Sequence, residues 1–311
     1  CQGQSSAQLS ASGGATYSWS PANSLTDSGI SNPIASPSIT TVYTVTITSA
    51  NGCSATDQVT VSVNSTPNAS SSADVAICLQ SSSQLDANGG DQYEWSPSTG
   101  LSSTTIKNPI ASPAMTTTYT VTITDSNNCT STSQTVVSIN SLPDADAGSD
   151  AVICNGESYS LNASGGISYQ WVPSTGLNNP NIANPISQPN NTITYTVFVT
   201  DINGCTNTDQ ITLTILNKPT ANAGNDHNTC IGQSVVLNAS GGALYTWSPS
   251  TGLNADDVQS PIASPNVTTL YTLTVTSANG CTSTDIVTVN VGNCPENCDD
   301  GFDNDGDGLV D

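Results

Sequence analysis

The apolar positions of this chain recur in short alternating runs. Tyr43, Val45 and Ile47 are separated by Thr44, Thr46 and Thr48, and Val59, Val61 and Val63 alternate in the same way beyond Asn51-Gly52. A period of two with one apolar and one hydroxyl face predicts half-buried strands, and the intervening Asn-Gly predicts a hairpin. An upstream strand sets Leu85 and Ala87 on one face. The next sets Tyr93 and Trp95 together before Pro97 and Gly100 end it. No stretch holds a helical period for more than a turn.

The pattern occurs four times. Trp19, Trp95, Trp171 and Trp247 stand 76 residues apart, as do Tyr43, Tyr119, Tyr195 and Tyr271, and Cys53, Cys129, Cys205 and Cys281. So regular a period predicts a tandem array, with repeats at 1–65, 66–141, 142–217 and 218–293 and a separate segment at 294–311. Fifteen of the 17 prolines lie on four repeat registers, and those at Pro67, Pro143 and Pro219 mark short, stiff joints. The Asn-Pro-Ile-Ala-Ser-Pro segments, unable to donate at proline, should run as edge or crossover strands. Units of about 35–40 Å set in line would make a rod.

About seven short strands per unit and a Cys, Trp, Cys order predict an all-β chain of Ig-like sandwiches. The second cysteine, however, follows the hairpin turn instead of sitting mid-strand, and Tyr43 is too far from Cys53 for a tyrosine corner. Repeat 1 starts at Cys1, without the dozen residues that precede Cys78, Cys154 and Cys230, so its first strand is lacking. Three readings stay open: the sequence starts inside a longer array, processing trimmed it, or a neighbouring chain supplies the strand. A lipid anchor on Cys1 is a further, weaker reading, because Cys1 already has a place in the repeat.

Ten cysteines with no CxxC pair point to an oxidising compartment. The repeat suggests one staple within each unit: Cys1–Cys53, Cys78–Cys129, Cys154–Cys205 and Cys230–Cys281. Each would close a loop worth about 4 kcal/mol in the chain-entropy model. A repeat this short buries only about 60% of its unfolded surface, so a staple would be useful.

Lys107 and Lys218 stand against 24 acidic residues, a net charge of -22, which disfavours nucleic acid and anionic membrane surfaces. Only 8% of residues are charged, so Ser, Thr, Asn and Gly make the surface hydrated. No apolar run is long enough to insert in a membrane.

The motifs YxWSPxTGL, NPIASP, TTxYTVTxT and NGC are similar to Ig-like or PKD-like repeats of large surface and gliding-associated adhesins of Bacteroidota. The resemblance covers residues 1 to about 293, although the WDFGDG signature of PKD domains is replaced by WSPSTGL. It implies an exported, repetitive stalk or filament. Secretion by the gliding-associated route would need a C-terminal sorting domain that this sequence does not contain.

The last 18 residues break the repeat and hold seven of the 24 acids. Asp303, Asp305, Asp307, Gly308 and Asp311 match positions 1, 3, 5, 6 and 9 of an EF-hand-type loop, whose alternating carboxylates aim oxygens at one calcium. The loop resembles thrombospondin type 3 and dockerin-like loops. Its bidentate ligand at position 12 falls beyond residue 311. Cys294 and Cys298 could bridge each other or pair elsewhere.

Other candidates are weaker. His227 is the only histidine and reads as a solvated loop residue; without a second, no repeated triad or histidine metal site can be built. Asp256 and Asp257 have no repeat counterparts and read as solvated. Asp144, Asp146 and Asp150 could hold calcium at a joint, but only Asp150 recurs, as Asp74 and Asp226. Tyr93 and Trp95 could stack on a sugar, yet their shared face favours core packing. Lys107 and Lys218 occupy different registers, which argues against Lys-Asn crosslinks. Sequons such as Asn162-Ala163-Ser164 arise easily in this composition.

The expectation is a non-catalytic, extracellular, cell-surface-attached stalk or filament segment of a bacterial adhesin, with calcium at its tail. Its partners would be further repeats or like subunits, with a glycan or surface ligand engaged by a domain elsewhere. One alternative is a carbohydrate-binding or accessory module of a secreted polysaccharide-degrading enzyme. Another is a filament subunit assembled by strand complementation.

Overall fold

The computed structural model describes residues 1–3 and 6–292. Among these the chain is all-β, with no helix. Repeat 2 is the pattern for the rest. Its larger sheet runs in the order Gln92–Ser96, Thr117–Thr124, Thr130–Asn140, Val75–Cys78. The first three pair antiparallel, and the last lies parallel to the long strand, Val75 opposite Val137 and Cys78 opposite Asn140. Ser70–Ser71 pairs with Ala87–Asn88, and Ser83–Gln84 with Ile110–Ala111, forming the facing layer. A first strand that pairs in one layer and then crosses to run parallel to the last strand of the other is an Ig-like arrangement.

The alternation predicted for the tyrosine strand is realised in its burial. Tyr119, Val121 and Ile123 are fully buried, and the threonines between them are not. The hairpin forms with Thr124 opposite Thr130. Its turn places Gly52, Gly204 and Gly280 at positive φ, and Asn128, the one non-glycine at this register, adopts φ 59°. Asparagine tolerates that conformation better than other side chains. The Ile110–Ala111 strand lies between Pro109 and Pro113, as the prolines require, and the Pro109 carbonyl accepts from Leu85 N at 2.9 Å.

Repeats 3 and 4 have the same four-stranded sheets, with Ala151–Cys154 and His227–Cys230 as their parallel strands. The sheet of repeat 1 has three strands, Thr16–Ser20, Thr41–Thr48 and Ser54–Val61. Four hydrophobic clusters result, each drawn from one repeat; that of repeat 2 centres on Leu85, Trp95, Tyr119, Val121 and Val137. Burying each such side chain contributes about 1.5–3 kcal/mol. By packing, the chain divides into two compact units. One is Cys1–Leu142 with Asn203–Cys205; the other is Pro143–Ile202 with the chain from Thr206 on.

Candidate functional site

The staple within each repeat is not what forms. The disulfides are Cys1–Cys129, Cys78–Cys205 and Cys154–Cys281, and Cys53 is an exposed free thiol. Cys230 is also disulfide-bonded. The pairings expected within repeats, Cys1–Cys53, Cys78–Cys129, Cys154–Cys205 and Cys230–Cys281, are therefore corrected. In each pair seen, the cysteine at the Cys78 register of one repeat, Cys1, Cys78 or Cys154, bonds the hairpin-turn cysteine of the next.

Strand geometry gives the reason. Cys78 lies opposite Asn140, at the far end of the long strand, while Cys129 immediately precedes its start at Thr130. At about 3.3 Å per residue the two are about 30 Å apart, several times the Cα separation a disulfide permits. The observed pairs have Cα–Cα distances of 5.5, 5.5 and 5.7 Å. The sequence held the clue, since the second cysteine sits after the turn and not mid-strand.

The tryptophans are core residues. Each is no more than 4% exposed, and each indole N–H donates to a carbonyl 11 residues on, those of Ile30, Ile106, Ile182 and Val258, at 3.0–3.1 Å. Tyr93 is half-buried and its hydroxyl donates to Gly90 O at 2.8 Å. Tyr119, Tyr195 and Tyr271 donate to the carbonyls of Thr99, Thr175 and Thr251 at 2.7–2.8 Å. Burial raises the phenols of Tyr119 and Tyr271 above the ordinary value near 10. No tryptophan offers a ring face to a sugar.

The recurring aspartates hold strands. Asp74, Asp150 and Asp226 accept from the amides of Val136, Thr212 and Thr288 at 2.7–2.8 Å, pinning the point where the first strand crosses between layers. Asp146 accepts from Gly148 N at 2.8 Å, a local turn. Asp209 and Asp285, which sequence reasoning passed over, each accept from a first-strand amide, Ala147 N and Ala223 N, at 2.8 Å. Only their shared register, 62 residues beyond the amide, could have shown it. His227 is not in a loop: it is half-buried and opens the His227–Cys230 strand opposite Val289, at the register of Val75 and Ala151. Asp256 and Asp257 are exposed. Lys107 approaches Asp86 at 4.0 Å, both about half exposed, a pair worth little. Asp303, Asp305, Asp307 and Asp311, with Cys294 and Cys298, lie outside the described residues. Among the described residues no three His, Cys, Asp or Glu side chains gather as a metal site, and no helix is long and apolar enough to cross a membrane.

No family model matches the chain, and no curated protein matches it. Among solved structures it is similar to Sidekick-1 immunoglobulin domains 1–5, with 14% identity over 92% of this chain and 77% of that one, TM-score 0.27. Similar too are the insect immune protein hemolin, 13% identical over 93% of this chain and 96% of that one, TM-score 0.28, and the titin I9–I11 tandem, 12% identical over 73% and 97%, TM-score 0.31. Superpositions this loose add nothing to the topology described above.

Proposed function

We propose that this chain is a non-catalytic, force-carrying segment of an extracellular stalk or filament, of the kind a bacterial surface adhesin uses. The carrying observation is the overlap of the disulfide loops. Cys78 lies inside the loop closed by Cys1–Cys129, and Cys154 inside that closed by Cys78–Cys205. Tension applied between Cys1 and Cys281 meets a covalent shortcut: across Cys1–Cys129, along the chain to Cys154, and across Cys154–Cys281. That path contains about 25 residues and cannot exceed about 100 Å, whereas the reduced chain could extend to about 1,000 Å. A staple inside each repeat would leave every joint to carry load unaided. The overlapping bonds take residues 2–128 and 155–280 off the load path, and their survival fits an oxidising, extracellular setting.

Single-molecule pulling on handles at residues 1 and 281 tests this reading. Oxidised protein should stop extending near 100 Å, and reduced protein should show unfolding steps far beyond that limit. Equal contour lengths in the two states would refute it. Calcium is proposed for the acidic tail, through Asp303, Asp305, Asp307 and Asp311. Titration calorimetry should show calcium heat that Asp305→Ala removes; the same heat in both proteins would exclude this loop.

A further inference from the structure

The disulfide partners are not the ones an unfolded chain would choose. Cys78–Cys205 encloses Cys129 and Cys154, and Cys154–Cys281 encloses Cys205 and Cys230, so each bond passes over two other cysteines. From Cys78, the loop to Cys129 is less than half as long as the loop to Cys205, and loop-closure entropy makes the shorter one about fourfold more probable. Cys154 faces the same choice between Cys205 and Cys281. Chain statistics favour the bond within a repeat, yet the structure contains the bond between repeats.

The folded repeat reverses that preference. Cys154 lies opposite Leu216, the last residue of the strand Thr206–Leu216, and Cys205 immediately precedes the first. The strand therefore holds the two about 30 Å apart, as its counterpart does Cys78 and Cys129. The hairpin turn is offered to the preceding repeat instead. Asn203–Cys205 packs with Cys1–Leu142 and not with the rest of repeat 3, and the Cα atoms of Cys78 and Cys205 come to 5.5 Å. A bond within a repeat and a folded repeat exclude each other. Joining Cys78 to Cys129 would draw the two ends of Thr130–Asn140 together and withdraw Val137 from the core it shares with Trp95 and Tyr119. Joining Cys154 to Cys205 would do the same to Ile211 and Leu213.

We infer that docked repeats template the pairing: neighbouring repeats fold with their thiols reduced, and the reaction that completes the protein is a two-electron oxidation of the thiols so aligned. Its co-reactant is an oxidising dithiol–disulfide protein. Cys78 and Cys154 are partly exposed and Cys205 and Cys281 fully buried, which assigns the two roles. The Cys78 thiolate opens the co-reactant's disulfide, the Cys205 thiolate displaces it from the mixed disulfide, and it leaves as the dithiol carrying two electrons and two protons. A chain oxidised before it folds becomes instead the substrate of a disulfide isomerase, whose thiolate attacks the bond within the repeat and frees Cys78 for Cys205 with no net change of oxidation state. The inference concerns assembly and not load, so failure of the pulling experiment would leave it standing.

The test reduces the full chain in urea and oxidises it with diamide by two routes, reading the bonds by non-reducing peptide mapping. In the first, urea is removed before the oxidant is added; in the second, only after oxidation is complete. The first route should give Cys78–Cys205 and Cys154–Cys281 over Cys78–Cys129 and Cys154–Cys205 by at least about tenfold, because the folded strand keeps the latter pairs out of reach. The second should favour the bonds within repeats about fourfold and leave the near-ultraviolet signal of the tryptophans absent once urea is gone. Adding a disulfide isomerase with reduced glutathione should then restore both the signal and the native bonds. Bonds within repeats formed in equal amount by the first route, or native bonds formed equally by the second, would overturn the inference. Cys205→Ser separates templating from nearness along the chain. By the first route Cys78 of this variant should remain a free thiol, and a new bond from Cys78 to Cys129, Cys154 or any other cysteine of the chain would overturn the inference as well.

Discussion

At the residue scale, the recurring side chains act by closing hydrogen bonds that burial would otherwise leave open. Each tryptophan brings an N–H into the core and finds a carbonyl fixed by the same repeat, as do the hydroxyls of Tyr119, Tyr195 and Tyr271, while that of Tyr43 meets Ser24 Oγ at 2.6 Å. An unpaired donor in such a place costs about 1–3 kcal/mol. The buried phenols give a pH prediction. Tyr119 and Tyr271 are fully buried, and desolvation raises both above 10. The unfolded chain therefore ionises first, and the native state binds more protons in the window from pH 10 up to the raised values. Their contribution is complete below pH 10 and lost as pH rises through that window. Urea midpoints measured from pH 9 to 11.5 should fall over that range, and Tyr119→Phe with Tyr271→Phe should flatten the fall. An unaltered slope in the double variant would assign it to other groups.

At the element scale, the first strand is the piece on which each repeat depends. It pairs in one layer, crosses at an aspartate cap, and runs parallel to the long strand in the other. The paired glycines make room for it. Gly165, at φ 101°, has the Asp144 carbonyl where a side chain would go, whereas Gly204, at φ 79° in the hairpin turn, faces open space. Both positions carry the backbone strain of a left-handed residue, about 1–2 kcal/mol for alanine. Only the first adds a clash. Gly165→Ala should therefore destabilise the protein by more than Gly204→Ala, with accelerated exchange at Ala151–Cys154. Equal losses in thermal or urea unfolding would mean that the covering strand does not depend on that approach. Alternation, turns and prolines made these elements legible in advance. The crossing strand was harder to see, because its alanines, glycines and aspartates carry little apolar periodicity.

At the scale of the whole molecule, the disulfides divide labour with the cores. None of the three bonds lies inside a repeat, so hydrophobic burial, not a staple, must hold each sandwich. Each bond closes a loop of 127 or 128 residues, worth about 5 kcal/mol when only loop closure is counted. Reduction should accordingly leave the near-ultraviolet signal of the buried tryptophans in place in mild conditions while removing the limit on extension. Loss of that signal on reduction alone would show that the bonds, not the cores, hold the repeats.

The sequence by itself determined the all-β class, the four-fold period, the hairpins, and the faces of the tryptophan and tyrosine strands. These follow from local chemistry: a two-residue alternation, a turn dipeptide and prolines that cannot donate. It also placed the bonded cysteines in two registers, one at the end of the first strand and one after the hairpin turn. Which register met which was decided only in three dimensions. The long strand holds Cys78 and Cys129 at opposite ends of one repeat and leaves the next repeat's turn as the partner within reach. Tertiary structure likewise gave Asp209 and Asp285 their amides, because pairing between strands distant in the chain leaves no local signature.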